Sequence, residues 1–500
     1  MLKKLAPGRG KIYRKKIQQQ REFEDFYLPF GGKLRSDNRW VRLSKLIPWE
    51  EIEKEYAKQF AESGMGAPAK AARVALGALI IQEKLGLTDE ETVEQIRENP
   101  YLQYFIGYGK YRDEKPFDAS MMVHFRKRLK LEEVSRINEL VHRAHRGKKE
   151  QKEGKDEDDS RQGGGGGSGS RNRGKLIVDA SVAPADIRYP TDISLLNEAR
   201  EKSERIIDRL HEPLKGKEKK VRTYREKARR DYLRASKKRR LTARELQKAI
   251  GKQLRYVRRD LEHIEVLAER SSLEQLSGKE YRDLLVIGDL YRQQERMYEE
   301  KKRRIEDRIV SISQPHVRPI VRGKAGSPVE FGAKITVSLV EGYAFIDRMS
   351  WDNFNESKEL IEQIEKYKER FGNYPDSVHV DRIYRSRENL RYCQGKGIRL
   401  SGPKLGRPKK DVLREEKKIA REDELVRNAI EGKFGEGKRR YSLNCIRAKL
   451  PETSGSVIAM TFLVMNLEKL LKGVFLHFWR QWIISNLSGY QGHFAYNRVR

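Results

Sequence analysis

Three acidic residues stand where carboxylates are unusual, and their types suit metal-assisted phosphoryl transfer. Asp179 lies in the middle of the apolar run 175–184, Asp381 ends the short run 377–381, and Glu431 lies on a segment with helical character. An ionised carboxylate inside a buried strand is costly unless its charge is compensated. A bound cation would compensate it, and so would backbone hydrogen bonds if Asp179 caps the end of its strand. Mg²⁺ takes oxygen ligands, and two such ions roughly 3.5–4 Å apart activate a water or a 3′-hydroxyl and stabilise the leaving oxygen.

The segment around Glu431 places three charged side chains on one helical face. At about 100° per residue, Glu431 lies roughly 40° and Lys438 roughly 20° from Arg427, so the acid lies beside two cations. Glu436 falls on the opposite face and is the weaker candidate. Three glycines between residues 432 and 437 could interrupt this helix. The ordinary alternative for Arg427 and Glu431 is a surface ion pair between residues four apart.

The strands and helices predicted to carry these acids follow an order that is typical of a mixed α/β sheet. Alternating apolar residues predict a hairpin of residues 334–340 and 343–349, followed by short strands at 377–381 and 397–401 with helices between them. Ligands collect at the ends of strands in such a sheet. Adjacent strands therefore bring the two aspartates together, and the long helix that follows supplies Glu431 across the sheet edge.

A long, basic helical stretch, residues 195–331, separates the first strand from the hairpin. Between residues 211 and 260 the chain has 20 Lys and Arg residues against 6 Asp and Glu residues. Apolar residues recur at spacings of three and four from Leu246 to Ile264, which predicts a helix packed against a neighbour such as residues 281–309. The charge bias favours binding to a phosphate backbone over a merely solvated face, because a solvated face normally mixes both signs.

Shorter segments provide further candidates for nucleic-acid contacts. Arg318, Arg322 and Lys324 precede the hairpin, and they either line a DNA groove or form an ordinary basic loop. Trp351, after the third strand, is interpreted as a packed or surface residue, with stacking on an unpaired base as the alternative. His379 is interpreted as structural, because no other histidine or cysteine stands near it in the sequence.

An all-α domain of short helices is predicted for residues 40–145, after a basic arm at residues 1–39. Its last helix carries Arg126 and Arg128 among apolar residues, which favours a helix-turn-helix reader of DNA. A plain helical bundle used for dimerisation is the alternative. A Gly/Ser-rich run within residues 146–173 predicts a flexible linker and marks a domain boundary.

Length, charge and cysteine content narrow the class of protein. The chain has 500 residues, of which 37% are hydrophobic and 36% charged, and this length suits about two to four domains. The net charge of +33 indicates a polyanionic partner, first nucleic acid and second an anionic membrane surface. Two distant cysteines, Cys393 and Cys445, exclude a disulfide framework and a zinc cluster. The N-terminus lacks a secretory segment and the most apolar run, residues 457–465, is too short to span a bilayer, so we expect a soluble protein of the cytoplasm that associates with the nucleoid.

Taken together, these motifs resemble the DDE transposases of bacterial insertion sequences, in the group that joins insertion sequence families four and five. The features that carry the resemblance are the two strand-borne aspartates, the spacing Arg427-x3-Glu431-x6-Lys438, and the runs Asp179-Ala-Ser-Val-Ala and Val380-Asp-Arg-Ile-Tyr-Arg. The resemblance covers residues 40–450, and the N-terminal helical region is similar to that group's DNA-binding domain. Glu424 stands where the family pattern usually has a tyrosine, so any role of that tyrosine at the DNA end lacks a counterpart here.

The resemblance implies a fold of class α/β with a ribonuclease H-like mixed sheet as its catalytic core. This core would comprise residues 174–194 and 332–450, with the large basic helical insertion following its first strand. The all-α N-terminal domain would precede the core, and a C-terminal helical region would occupy residues 451–500.

The resemblance also implies a site and its partners. Asp179, Asp381 and Glu431 would be catalytic residues and ligands of two Mg²⁺ ions, for which Mn²⁺ can substitute. Arg427 and Lys438 would hold DNA phosphates near the cut. The substrate would be double-stranded DNA, both the inverted repeats at the element ends and the target, bound by a homodimer without a membrane partner.

Two other classes of function account for part of the pattern. A non-catalytic nucleic-acid-binding or architectural protein would explain the charge and leave the three acids as coincidence. A nuclease on the same core would use the acids but only hydrolyse DNA. Cleavage with Mg²⁺ separates the first class from an enzyme, and joining of a 3′-hydroxyl end to a second DNA separates a transposase from a nuclease.

Overall fold

The protein is described by a computed structural model over residues 23–29, 31–60, 68–156, 172–321, 329–402 and 414–494. Side chains are described in these ranges except at residues 147–156, 414 and 474–494. The chain divides into two units, which are described in turn below. The bounds of the first unit are Met1–Ser181, Ile335–Met349 and Asn355–Arg500, and those of the second are Val182–Lys334 and Ser350–Phe354.

The described residues form helices connected to one mixed sheet. The helices are α1 (Arg39–Leu46), α2 (Trp49–Ala57), α3 (Ala72–Leu85), α4 (Asp89–Glu98), α5 (Pro100–Phe105), α6 (Met121–Arg128), α7 (Leu131–Asp156), α8 (Asp192–His211), α9 (Arg225–Ser236), α10 (Ala243–Arg270), α11 (Gly278–Glu299), α12 (Leu360–Phe371), α13 (Arg387–Gly395), α14 (Arg414–Arg440) and α15 (Pro451–Phe494). The strands are β1 (Lys175–Pro184), β2 (Arg318–Val321), β3 (Val329–Val340), β4 (Tyr343–Ser350), β5 (Ser377–His379) and β6 (Arg399–Leu400).

Local sequence signals set the limits of the N-terminal helices. The Asn38 side chain accepts a hydrogen bond from the backbone N–H of Trp40 at 2.8 Å and so caps α1. Thr88 caps α4 in the same way through the N–H of Glu91 at 3.1 Å. Gly86 ends α3 with a φ of 69°, a left-handed conformation that favours glycine. Helices are therefore present where they are predicted within residues 40–145.

The C-terminal helix α15 shares its core with the N-terminal helices and with strand β4. Glu83 of α3 accepts hydrogen bonds from the hydroxyls of Thr461 at 2.7 Å and Ser442 at 2.8 Å. The buried Asn466 side chain donates to the Ala344 carbonyl at 2.8 Å and accepts from the Ala344 N–H at 2.9 Å. The N-terminal helices and the strands that follow the insertion thus belong to one unit, joined by α15.

The predicted linker differs from the structure at its start. Helix α7 continues to Asp156, so residues 146–156 are helical rather than part of a Gly/Ser-type coil. A helix persists there because these residues are mainly charged and lack proline, whereas the glycine run begins later. The glycine run itself, residues 163–167, lies outside the described residues.

Helix α15 is more apolar over a longer span than the run of residues 457–465 suggests. Among the described residues, one segment, Pro451–Gly473, is long and apolar enough to cross a bilayer. Within its most apolar window, 78% of the residues are buried inside the protein. Packing against α3, α6 and α7 accounts for this apolar surface.

The sheet has the order β2-β3-β1-β5-β6, with β4 paired to β3. Strands β1 and β5 are parallel, with Lys175 opposite Ser377 and Ile177 opposite His379. Strands β5 and β6 are also parallel, whereas β2 and β3 are antiparallel. The α/β class, the mixed sheet and the predicted hairpin, here β3 and β4, are confirmed.

Strand β2 was not expected, since its residues are predicted to form a basic loop. It is only four residues long and contains Pro319, a residue that sheets accept at their edges. So short a strand has no room for the apolar alternation that identifies longer ones. Its pairing with β3 therefore had no local signature.

The core of the first unit lies between the parallel strands and α12 and α13. Buried Leu176 and Val178 of β1 pack with Val378 of β5. Leu360 and Ile364 of α12 cover them, together with Tyr367 and Cys393. Both strand ends that carry candidate aspartates are thus anchored in one apolar cluster.

The second unit contains the predicted insertion and is built on α8, α9, α10 and α11. The apolar stripe of α10 is buried as predicted, with Leu254 and Val257 in its centre. It packs against α11, as expected, and also against Leu196 and its apolar neighbours on α8. Side-chain capping boxes start α8, α10 and α11 at Thr191, Thr242 and Ser277.

One acidic residue is buried in this second unit without a hydrogen bond. Asp260 of α10 is fully buried, and neither carboxylate oxygen has a partner among the described residues. Burial, and then the nearby Glu204 carboxylate, raise the pKa of Asp260 to about 8, although Arg259 and Arg200 oppose the shift. The side chain is therefore mostly neutral at pH 7 in the folded protein, whereas an unfolded aspartate ionises at about pH 3.9.

Replacing Asp260 with Asn is expected to stabilise the protein at alkaline pH. Because the folded pKa of about 8 lies above the unfolded value, the folded state binds more protons between about pH 4 and 8, and the wild-type protein loses stability as the pH rises through this window. The variant has no such proton, so its urea midpoint, followed by circular dichroism, should decline less between pH 6 and pH 9. Parallel curves for the two proteins would contradict the buried, neutral aspartic acid.

Candidate active site

Asp179 lies in the middle of the buried strand β1. Leu176, Val178 and Val182 are fully buried, whereas Asp179 is half-buried. The backbone N–H of Ala180 donates to Asp179 Oδ1 at 2.8 Å. Burial raises the pKa of Asp179 to about 6 despite this hydrogen bond. Among the described residues, this one backbone hydrogen bond does not offset the cost of burying the carboxylate.

Three other charged groups act on Asp179. The carboxylates of Glu356 and Asp381 raise its pKa further, and the guanidinium of Arg427 lowers it. Two acidic neighbours and burial all disfavour the ionised form. A region of this kind gains stability when a cation binds, so the residues present fit an oxygen-ligated divalent metal.

Asp381 follows β5 by two residues, as Asp179 follows Ile177. Because Ile177 lies opposite His379 in the parallel pairing, the two aspartates occupy corresponding positions on neighbouring strands. The Asp381 side chain is exposed and accepts a hydrogen bond from the N–H of Arg382 at 2.6 Å, which caps a short 3₁₀ helix, Arg382–Tyr384. No second hydrogen bond to this carboxylate comes from the described part of the chain.

Glu431 lies on α14, which is continuous through the three glycines that could have interrupted it. Buried Ile430 and Phe434 hold this part of the helix. Glu431 Oε1 lies 3.1 Å from Arg427 Nη1, and about half of the Glu431 side chain (52%) is exposed against 24% for Arg427. Arg427 therefore contacts Glu431 directly and also acts on Asp179 electrostatically.

The three acids do not form one coordination shell in this arrangement. In the part of the chain whose side chains are described, no three His, Cys, Asp or Glu residues come close enough to hold a metal ion. Asp179 and Asp381 lie near each other, while Glu431 is paired with Arg427. The role of all three acids as ligands of shared metal ions therefore stays a prediction.

Glu356 is a neighbour of Asp179 that sequence reasoning missed. It begins the short 3₁₀ helix Glu356–Glu359, which leads into α12. Tyr384 lies in the same region, fully buried, and its pKa is raised by burial and by Glu356 and Asp179. Nothing in the local sequence marks Glu356, and only its place between the hairpin and α12 could have suggested it.

The cations of α14 differ in their surroundings. Lys438 is half-buried near the C-terminal end of the helix. Glu436, the weaker acidic candidate, lies 3.0 Å from Lys433 and 3.6 Å from Arg440. Its charge is satisfied by these two ion pairs, which agrees with its placement away from Asp179.

Arg126 and Arg128 have partners within the helical region. Arg126 forms a two-pronged salt bridge with Asp89, with distances of 2.9 and 2.6 Å, and its side chain is only 11% exposed. Arg128 lies over the Phe60 ring at 5.1 Å. Because Arg126 is paired with Asp89 and largely buried, it presents little charge to a DNA phosphate. Arg128 is half-buried, so it is a weaker candidate than the sequence suggests.

The basic residues before the hairpin are described only in part. Arg318 lies in β2 rather than in a loop, and it is 3.9 Å from both Asp307 and Asp352. Arg322 and Lys324 lie outside the described residues. Trp351 packs edge-on against His316 with ring centres 4.4 Å apart, which agrees with a packed residue rather than a stacking platform.

The second unit exposes a dense set of cations on and around α9 and α10. These exposed residues, which form no ion pair with another described residue, are Lys217, Lys219, Arg222, Lys227, Arg229, Arg230, Arg234, Lys237, Arg239, Arg240, Arg244, Lys248 and Arg255. A solvated face would normally pair much of its charge. We call this set the basic surface of the insertion.

Two family models match the chain, and both describe transposase domains. Residues 378–468 match the transposase DDE domain, a region that contains Asp381 and Glu431. Residues 29–128 match a transposase domain of a second family (DUF772), which covers most of the N-terminal helices. The resemblance to the DDE transposases of insertion sequences is confirmed.

A curated relative shares part of the sequence. The chain is 38% identical over 89 residues to a protein of Rhizobium meliloti described as the uncharacterized protein ORF8 in the nfe locus. The aligned region is 18% of this chain and 42% of that protein, so the match spans less than half of the relative's length. No solved structure matches this chain.

Proposed function

We propose that this protein is a DNA transposase that cleaves DNA at the ends of its element and joins those ends to a target. The parallel pairing of β1 with β5, which gives Asp179 and Asp381 corresponding positions on neighbouring strands, carries the proposal. The Arg427–Glu431 pair comes from α14 of the same unit. The match to a transposase DDE domain over residues 378–468 supports it independently.

Each residue has a definite part in this proposal. Asp179, Asp381 and Glu431 would hold two Mg²⁺ ions, or Mn²⁺ in their place, and the bound metal would activate the attacking hydroxyl and stabilise the leaving oxygen. Arg427 orients Glu431 through their ion pair and reduces the negative charge around Asp179. Lys438 offers a cation to a DNA phosphate near the cut. The core that carries these residues is proposed to be ribonuclease H-like.

The proposed partner is double-stranded DNA, as the inverted repeats at the element ends and as the target. Two copies of the chain would each hold one end, which makes the active form a dimer on DNA. The net charge of +33 supports a polyanionic partner of this kind. The protein would act in the cytoplasm on nucleoid DNA, without a membrane partner.

A joining assay tests the proposal against its two alternatives. The full-length protein is incubated with Mg²⁺, a labelled duplex from the DNA that flanks its gene, and a plasmid target. A transposase cuts the duplex and links a 3′-hydroxyl end covalently to the plasmid. Hydrolysis without joined product would indicate a nuclease, and binding without cleavage would indicate a non-catalytic DNA-binding protein.

A further inference from the structure

A buried carboxylate on α14 contacts the two strands next to the candidate site. Asp423 is 8% exposed and accepts two hydrogen bonds from Arg399, Nη1 to Oδ2 at 2.9 Å and Nη2 to Oδ1 at 2.7 Å. Arg399 is the first residue of β6. Parallel hydrogen bonds of this type fix the direction as well as the distance between their partners.

The same carboxylate also faces β5. His379, which is 1% exposed, has Nδ1 3.3 Å from Asp423 Oδ1, a close electrostatic contact rather than an aligned hydrogen bond. The other ring nitrogen of His379 lies 3.0 Å from the Ser377 hydroxyl, so the ring is held within its strand. Since β5 leads directly to Asp381, one side chain of α14 contacts both the strand of the second candidate aspartate and its neighbour.

Asp423 provides a buried attachment for the first half of α14. Between residues 415 and 429, it is the one buried residue, and even the apolar Leu425 in this stretch is 64% exposed. An aspartate is rarely buried unless it is paired. This part of α14 is thus held to the sheet by a directional charged contact, whereas fully buried apolar residues begin only at Ile430.

Spacing along the helix connects this contact with the candidate site. Asp423, Arg427 and Glu431 follow one another at intervals of four residues, so each lies about 40° from the next on the same face of α14. A contact that fixes Asp423 against β5 and β6 therefore also sets the rotation and the axial position of Arg427 and Glu431. Displacement of about 1 Å at a reacting group is enough to slow catalysis on the order of 10²-fold.

We propose that Asp423 is a positioning residue, which with Arg399 and His379 sets the register of α14 so that Glu431 and Arg427 face the two aspartates. This role rests on the proposed function, because it assumes that Glu431 takes part in DNA cleavage. The structural part of the role, the docking of the first half of α14 on the sheet, is independent of any activity.

The test compares Asp423→Asn and Arg399→Lys with Glu422→Gln in the full-length protein. Asp423→Asn removes the charge, and Arg399→Lys keeps the charge but loses the two-pronged geometry. Glu422 is exposed and influences Arg399 only through its charge, so Glu422→Gln is a matched control on the same helix. Hydrogen exchange over residues 414–440 is measured together with cleavage at saturating DNA across a Mg²⁺ titration.

We expect faster exchange in the first half of α14 for both cluster variants, with unchanged exchange in α15 and unchanged DNA affinity. The cleavage rate should fall about 10–100-fold and the Mg²⁺ midpoint should rise, with Arg399→Lys showing the smaller change. The Glu422→Gln control should match the wild type in all readouts.

Wild-type exchange in Asp423→Asn would overturn the proposal, and so would wild-type cleavage in a variant whose helix has loosened. If the wild-type protein itself does not cleave DNA, the proposed function fails, while the exchange measurement still decides the docking role. If Asp423→Asn does not fold, Arg399→Lys supplies the same comparison, and normal exchange and cleavage in it would overturn the proposal.

Discussion

Replacing Asp179 with Asn is expected to abolish Mg²⁺-dependent DNA cleavage while binding to duplex DNA survives. Asn keeps the shape of the side chain and the contact with the Ala180 N–H but loses the charge that a divalent cation requires. A metal contributes several kcal/mol to the transition state of phosphoryl transfer, which corresponds to roughly 10³-fold or more in rate. Asp381→Asn and Glu431→Gln should show losses of the same order, measured as single-turnover cleavage of end-labelled DNA.

A matched variant separates this loss from a general effect of removing an acid. Glu436→Gln lies on the same helix as Glu431, but the native Glu436 pairs with Lys433 and Arg440. Cleavage by this variant should stay close to that of the wild type. Full activity in Asp179→Asn would eliminate the proposed site, and equal losses in Glu431→Gln and Glu436→Gln would point to the stability of α14 instead of metal binding.

The neighbouring placement of the two aspartates could be predicted because it depends on strand order and period. Each aspartate interrupts or ends a short apolar run, and strands that flank a long crossover pair in parallel in folds of this class. The register then follows from a single pair, Ile177 opposite His379. The helical face shared by Arg427, Glu431 and Lys438 could be predicted equally well, because helical periodicity depends only on local sequence.

Contacts between residues distant in sequence account for most of what the sequence did not reveal. Glu356 acts on Asp179 across 177 positions of chain (356 minus 179), and Asp423 pairs with Arg399 across an interval of 24 residues. Neither acid has a local pattern that distinguishes it from the other acidic residues of the chain. Their roles depend on how the segment after the hairpin and helix α14 pack against the sheet.

The contact partners of the N-terminal helices could not be predicted from the sequence either. The pattern around Arg126 indicates a charged helix face, and the structure instead pairs this residue with Asp89 on another helix. The region was predicted as a domain of its own because the sequence does not reveal contacts between distant helices. One such contact is the hydrogen bond from Thr461 of α15 to Glu83 of α3. Composition identifies a charged face, but only the fold identifies its partner.

Neutralising three cations of the basic surface of the insertion is expected to weaken DNA binding and flatten its salt dependence. Arg244, Lys248 and Arg255 are exposed, form no ion pair with another described residue, and lie within about 40° of one another on α10. Each phosphate contact contributes about 0.9 to the slope of log K against log salt. Replacing all three with Gln should therefore lower the slope by nearly three and reduce affinity at 0.1 M salt on the order of 10²-fold.

A second triple variant provides a control with the same change in net charge. Lys238, Lys252 and Arg258 belong to the same unit, but each pairs with an acid: Glu245 at 2.6 Å, Asp231 at 2.9 Å and Glu295, respectively. A cation already paired releases few counterions when DNA binds, so their replacement with Gln should leave the slope nearly unchanged. Affinities are measured by fluorescence anisotropy of a labelled duplex from 50 to 300 mM KCl.

The two variants together decide between a binding surface and a solvated face. A lower slope in the first variant alone would show that Arg244, Lys248 and Arg255 contact phosphates. Equal decreases in both would mean that DNA responds only to total charge, and two unchanged slopes would mean that the face is merely solvated. Because the contacts are to the backbone, the loss in the first variant should be the same for duplexes of unrelated sequence.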